Sequence, residues 1–240
     1  MKIKAVLFDL DGTLLPMEQN DFIKAYLGGL VGALAPKGYD PKMIAGALIK
    51  STDAMKINDG RKTNEEVFWD NFSAILGEGI RDEEENLRAF YDGDFQKVKN
   101  VCGYNPKAKE LVDRLNKQGV RVILATSPLF PAVATESRIR WAGLEPEDFA
   151  FYTTYENSRY CKPNPDYYKW LLERESLSAD ECIMVGNDVE DDMIAEELGI
   201  RVFLLTDDLI NGTGKDISCY PNGDFDKLTN YIDEVLNENQ

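Results

Sequence analysis

With 240 residues and a formal net charge of −16, the chain is long enough to bury a substantial core as one large domain or two modest ones, and long enough for an enzyme. That acidity argues against nonspecific binding to nucleic acid or an anionic membrane, while leaving room for a phosphorylated substrate wherever a metal and a few cations reverse the field locally. The complete absence of histidine excludes Ser-His-Asp hydrolysis and histidine-metal chemistry, so proton transfer near neutral pH falls to carboxylates, lysine, hydroxyls or metal-bound water.

The first element is the apolar run Ile3 to Phe8, a short strand that runs into Asp9-Leu10-Asp11-Gly12-Thr13. From 17 to 98 the spacing of Ala, Leu, Met and Ile predicts helices, for example Phe22 to Leu34 and Met43 to Met55. Thr63 to Glu66 has capping-box spacing and starts another helix. Asp82 to Val98 reads as further helix interrupted near Asp92-Gly93-Asp94. Beyond this block strands and helices alternate. The strand candidates are Val120 to Ala125, Phe149 to Thr154, Cys182 to Val185 and Arg201 to Leu205. Helical stretches lie around Lys107 to Gln118, Pro131 to Ala142, Pro165 to Glu175 and Asp191 to Leu198. Strands spaced by helices imply right-handed crossovers and a mainly parallel α/β sheet, with the helical block inserted between its first and second strands. The polar tail after Asn237 is expected to fray. Cys102, Cys161, Cys182 and Cys219 show no metal-ligand spacing and read as reduced packing residues. The chain opens on a strand without a leader pattern, and no apolar run reaches membrane-spanning length, so a soluble, cytoplasmic protein is expected.

Four segments meet strand or helix ends with chemistry to offer. Asp9 and Asp11, one residue apart, repel each other unless a cation or shared proton lies between them, which suggests a metal site that also holds a nucleophile. A plain Asp-Gly turn is the alternative. Ala125-Thr126-Ser127-Pro128 could hold an anion through a hydroxyl and free amides, or be an ordinary Ser-Pro turn. Lys162, in Cys161-Lys162-Pro163-Asn164-Pro165, stands between a loop and a proline-initiated helix, where it is either positioned by local structure or one more surface lysine. Val185 to Asp192 gathers four carboxylates after an apolar strand, hard oxygen ligands of the kind Mg²⁺ requires, with a solvated acidic loop as the lesser alternative.

In that order the motifs resemble the haloacid dehalogenase superfamily of phosphohydrolases, over nearly the whole chain. The resemblance implies a Rossmann-like, mainly parallel core at 1–16 and 99–240 with an inserted all-α cap of the first type at 17–98. It implies a Mg²⁺-dependent phosphatase for a small phosphorylated metabolite, working as a monomer or homodimer. Asp9 would be the nucleophile that becomes an aspartyl phosphate, and Asp11 the general acid and base, its backbone carbonyl facing the metal. Thr126, Ser127 and Lys162 would bind the phosphoryl group, and Asn187, Asp188 and Asp192 would complete the metal site with Asp9 and Asp11. Asn187 stands where the family usually has Asp, so Asp188 or Asp192 must supply the missing charge. Asp11 argues against the dehalogenase branch, which lacks that acid. A phosphomutase or a noncatalytic binding protein of the same fold are the rivals. Arg61 and Lys62, in the loop before the Thr63 capping box, are candidates for substrate contact, or exposed cations on an acidic surface.

Overall fold

The computed structural model describes residues 2–237. Its strands are Ala5–Phe8 (β1), Arg121–Leu124 (β2), Phe151–Tyr152 (β3), Cys182–Gly186 (β4), Arg201–Leu205 (β5) and Asn222–Gly223 (β6). They form one all-parallel sheet in the order β3-β2-β1-β4-β5-β6. β1 is buried along its whole length, as a continuous apolar run at the centre of a parallel sheet must be. Ala5 stands opposite both Arg121 and Cys182. The chain lays β2 and β3 on one side of β1, then returns to lay β4, β5 and β6 on the other. A crevice therefore opens beyond the carboxyl ends of β1 and β4, where the winding reverses.

Helices cover both faces. They are Gln19–Leu34 (α1), Pro41–Lys56 (α2), Asn64–Leu76 (α3), Glu84–Asp92 (α4), Pro106–Lys117 (α5), Ala132–Trp141 (α6), Pro165–Glu175 (α7) and Phe225–Asn237 (α8). Alternate strand residues enter opposite layers. Val6 and Phe8 share an apolar cluster with Leu111 and Leu115 of α5 and Leu228 and Ile232 of α8. Ala5 and Leu7 pack instead with Tyr167, Tyr168 and Leu171 of α7.

All described residues from 19 to 101 that have regular structure are helical. In α1, Phe22, Tyr26, Leu30 and Leu34 recur every four residues and form one buried stripe. In α3 the capping box closes as the sequence predicts: Thr63 Oγ1 accepts from the Glu66 amide at 3.2 Å, and Glu66 Oε2 accepts from the Thr63 amide at 2.8 Å. The block docks on the sheet layer through aromatic rings. Tyr26 meets Phe130 at 5.1 Å and Phe95 meets Trp141 at 5.0 Å between centroids, so one apolar cluster runs from α1 through to the sheet.

The differences from the sequence reading lie where local patterns are weak. The third strand shrinks to Phe151–Tyr152, because Pro146–Asp148 turns as 3₁₀ helix just before it. The interruption at Gly93 is present, and 3₁₀ segments at Glu78–Glu83 and Asp94–Val101 flank α4. After β4 the chain forms only a 3₁₀ turn, Met193–Leu198, closed by Gly199 in left-handed conformation. β6 and α8 are additions to the reading. The tail after Asn237, expected to fray, lies outside the described residues. All four cysteines are free; Cys161 and Cys182 are buried and Cys102 half-buried, but Cys219 is exposed and does not pack. Among the described residues no helix is long and apolar enough to cross a membrane.

Candidate active site

Three strand ends deliver the floor of the site. β1 hands over to Asp9, β2 to Ala125 and Thr126, and β4 to Asn187, with the Asp9 amide donating to the Val185 carbonyl at 2.9 Å and the Ala125 amide to the Phe8 carbonyl at 2.7 Å. Gly12 leaves the strand with φ of 82° beneath Asn187, whose amide a Cβ at Gly12 would strike.

Lys162 is 1% exposed and lies between two carboxylates: its Nζ donates to Asp9 Oδ1 at 2.9 Å and to Asp192 Oδ1 at 2.6 Å. The loop that carries it is pinned by Asn164, which caps α7 by accepting from the Asp166 amide at 2.9 Å. Burial works to neutralise the ammonium, but Asp192 and Asp9 outweigh it and hold its pKa well above the ordinary lysine value. Burial raises the Asp192 carboxyl while Lys162 opposes. Its second oxygen, Oδ2, accepts from the Asp188 amide at 3.0 Å. Both Asp192 oxygens are thus engaged within the protein, and a Cβ at Gly186 would collide with this carboxylate.

Thr13 Oγ1 donates to Asn187 Oδ1 at 3.0 Å and lies 3.4 Å from Asp9 Oδ2. Asn187 Nδ2 donates to the Asp208 carbonyl at 2.6 Å. That bond fixes which end of the amide is the donor and leaves Asn187 Oδ1 to accept from Thr13. Asp188 Oδ1 accepts from the amides of Glu190 at 2.8 Å and Asp191 at 3.0 Å, so it caps its own loop while lining the cavity above. Burial pushes the neighbouring Asp191 up to about 6, with Lys162 opposing and Asp188 and Asp9 adding to the rise.

Asp11 forms an ion pair that the sequence reading lacks. Its Oδ2 accepts from Nη1 of Arg138. Arg138 is 0% exposed, donates Nε to the Ala134 carbonyl at 3.3 Å, and sits 4.2 Å over the Phe130 ring. Burial raises the Asp11 pKa, and the Arg138 charge works against that rise. Asp11 Oδ1 and Ser127 Oγ are both buried without a hydrogen-bond partner, on the wall of the same cavity. Thr126 is buried beside them, its carbonyl accepting from Thr153 Oγ1 at 2.6 Å and Tyr167 OH at 3.0 Å.

Every residue expected at the floor, Asp9, Asp11, Thr126, Ser127, Lys162, Asn187, Asp188 and Asp192, lines this one cavity of about 340 Å³. Arg61 and Lys62 do not. Arg61 is 87% exposed and pairs with Asp59 at 2.5 Å, and Lys62 pairs with Asp70 at 2.5 Å. Their loop is held by Asn58 and Asn64: Asn58 Nδ2 donates to Asn64 Oδ1 at 2.8 Å and Asn64 is fully buried against Pro128, Tyr160 and Cys161. Besides Lys162, the cation on the cavity wall is Lys56, at the end of α2. Among the described residues no three Cys, Asp or Glu side chains stand at metal-ligating geometry. The available donors are instead all hard oxygens: the Asp9 carboxylate, the Asn187 amide oxygen and the Asp188 carboxylate on the cavity wall. That chemistry fits a small divalent cation such as Mg²⁺.

The fold and site together define an α/β enzyme with its reactive groups at the switch point of a parallel sheet. A model of haloacid dehalogenase-like hydrolases matches residues 3–199, and the chain belongs to that family. It is 27% identical over 209 residues to a phosphoglycolate phosphatase of Aliivibrio fischeri, covering 85% of this chain and 84% of that protein. It is 25% identical over 201 residues to the pyrophosphatase PpaX of Bacillus velezensis, covering 83% and 82%. Among solved structures it resembles a 2-haloacid dehalogenase from Pseudomonas syringae, with a TM-score of 0.64 at 21% identity over 98% of this chain and 99% of the other. A phosphatase of the family from Thermococcus onnurineus gives a TM-score of 0.59 at 19% identity over 96% and 98%. At these identities the structural likenesses concern the fold.

Proposed function

We propose that this chain is a Mg²⁺-dependent phosphatase that hydrolyses a small phosphorylated metabolite in the cytoplasm through a phosphoryl group carried on Asp9. The observation that carries this reading is the buried Lys162, bracketed by Asp9 and Asp192 next to two unpartnered polar atoms, Asp11 Oδ1 and Ser127 Oγ. The names of the relatives, phosphoglycolate phosphatase and pyrophosphatase, support hydrolysis at phosphorus. In this reading residues 17–98 act as a cap over a core of 1–16 and 99–240, and the protein works as a monomer or homodimer.

Asp9 and Asn187, with the Asp11 carbonyl and Asp188 nearby, would hold Mg²⁺, which supplies charge neutralisation for attack on a dianionic phosphate. Lys162 adds positive charge from the other side and keeps the Asp9 carboxylate aimed. An oxygen of Asp9 forms the new bond to phosphorus as the bond to the leaving oxygen breaks. Asp11, which burial inclines to hold a proton, gives that proton to the leaving oxygen. Water then attacks phosphorus, Asp11 takes its proton, and the bond to Asp9 breaks to release phosphate. Ser127 and Thr126 receive the phosphoryl oxygens.

The test is hydrolysis of 4-nitrophenyl phosphate with and without Mg²⁺, in wild type and Asp9→Asn. Turnover should need Mg²⁺ and fall by about 1,000-fold or more in the variant, with an unchanged melting curve, since the amide keeps the shape and loses the nucleophile. Wild-type activity in Asp9→Asn ends this reading. Phosphate release that requires an added sugar bisphosphate would favour the phosphomutase instead.

A further inference from the structure

The floor of the cavity is polar, with Asp11 Oδ1 and Ser127 Oγ left without a partner, whereas its roof is largely apolar. Toward α1 and α2 the wall is made by Phe22, Ile23, Leu48 and Ile49, with Phe130 and Ile210 closing the side. Ile23 and Ile49 are 49% and 55% exposed. Apolar side chains left open to solvent over a reaction centre mark a surface that something else covers. A cavity of about 340 Å³ is also of a size that encloses a small organic ligand rather than a phosphate alone.

The charge on the roof points the same way. Its cation is Lys56, and Asp53 lies one helical turn before it on the same wall of α2. Across the cavity Lys56 acts electrostatically on Asp191. Around the whole cavity six carboxylates, Asp9, Asp11, Asp53, Asp188, Asp191 and Asp192, face two lysines, Lys56 and Lys162. Lys162 is consumed by Asp9 and Asp192. A leaving group that carried its own carboxylate would meet a roof whose one lysine, Lys56, shares α2 with Asp53 and the cavity with five further carboxylates, with apolar side chains on either side. Burying such a carboxylate unpaired costs far more than burying a neutral group.

We infer that the substrate is a phosphomonoester of a neutral alcohol with an apolar body, seated against Ile23, Leu48 and Ile49, and that Asp53 selects against anionic leaving groups such as glycolate. This rests on the phosphatase reading above and narrows it. The relatives named for phosphoglycolate hydrolysis are then related in fold and chemistry but differ in leaving group. Discrimination arises both from contact with the right group and from repulsion of the wrong one.

Benzyl phosphate and 2-phosphoglycolate test this, because both release an alkoxide of similar basicity and differ in what they present to the roof. Steady-state kcat/KM is measured for both with the Mg²⁺-loaded enzyme, for wild type, Asp53→Lys and Ile49→Lys, alongside 4-nitrophenyl phosphate. Wild type should favour benzyl phosphate by about tenfold or more, the scale of one well-filled apolar subsite. Asp53→Lys should raise kcat/KM for 2-phosphoglycolate by about tenfold and leave benzyl phosphate within about twofold, since only a fully charged group feels the exchange. Ile49→Lys should lower benzyl phosphate and raise 2-phosphoglycolate. Equal or better use of 2-phosphoglycolate by wild type overturns the inference alone. Failure to hydrolyse any of the three esters overturns the phosphatase reading as well.

Discussion

The floor and the roof of the cavity are built on opposite terms. On the floor most polar groups are held by protein partners: the buried Lys162 by Asp9 and Asp192, the part-buried Asp11 by Arg138, and Asn187 by Thr13 and the Asp208 carbonyl. Asp9, Asp11 and Asn187 follow strand ends whose positions the sheet fixes, and Lys162 and Arg138 reach them from the loop before α7 and from α6. The roof is carried on helices outside the sheet, and two of its apolar side chains, Ile23 and Ile49, are half exposed beside the buried Phe22 and Leu48. Changing a floor residue leaves a buried partner unpaired, which is costly, whereas changing a roof residue disturbs little beyond the ligand. The difference separates the chemistry, which the fold enforces, from selection, which the surface of two helices can alter freely.

The harshest way to strain that contrast is to break the Asp11 pair. Arg138→Met keeps the apolar stem but leaves the part-buried Asp11 without its partner, and urea unfolding should register a loss of about 1–3 kcal/mol. Catalysis should drop as well, and more for an alkyl phosphate than for 4-nitrophenyl phosphate, because a good leaving group needs less help from the acid. An unchanged unfolding midpoint would show that the floor is not committed in the way described.

A milder strain is available through pH. Asp191 stands at about 6 in the folded protein against an ordinary 3.8. The folded state therefore holds this proton more tightly than the unfolded one, so the contribution of Asp191 to stability is fully present below pH 4 and is lost as pH rises through 6. The shift corresponds to at most about 3 kcal/mol. In metal-free protein, Asp191→Asn should flatten that fall, measured as the melting temperature between pH 4 and 7. A wild-type profile that rises over this interval would contradict the placement of Asp191.

Smaller again is the effect on metal demand. Asp188 lines the cavity and caps the loop behind Asn187, whereas the exposed Glu190 only donates its amide to that cap. Asp188→Ala should raise the Mg²⁺ concentration for half-maximal activity about tenfold, and Glu190→Ala should leave it nearly unmoved. A metal titration with the reverse ranking would place the wrong acid near the ion. At the bottom of the scale are Arg61→Ala and Lys62→Ala. Both side chains are exposed and paired outside the cavity, so kcat/KM on every ester and the melting temperature should stay close to wild type.

Much of the floor is readable in the chain because each motif follows an apolar run that can only be a buried parallel strand. Asp9, Thr126 and Asn187 come directly after Phe8, Ala125 and Gly186. Helix α8 also carries its own signal, with Phe225, Leu228, Ile232 and Val235 on one face. The two-residue β6 carries none, since Asn222 and Gly223 pair only because β5 offers an edge. Arg138 is likewise silent: an arginine among Ala134, Ile139 and Trp141 reads as an ordinary helix residue until the fold brings Asp11 against it. Arg61 and Lys62 mislead in the other direction, because a basic pair in an inserted loop looks poised to meet substrate until the side chains are seen to turn to Asp59 and Asp70.

The sequence by itself determined which residue types end the central strands, and thereby the family and the floor of the site, because strand periodicity and turn chemistry act between near neighbours in the chain. Only the tertiary structure decided that Asp192 is tied to Lys162 across 30 residues, that Asp11 answers Arg138 across 127, and that the roof over them is apolar with Lys56 as its cation. Those pairings depend on how separate elements pack, and the free energy of bringing distant charges together is settled by burial that no local pattern records.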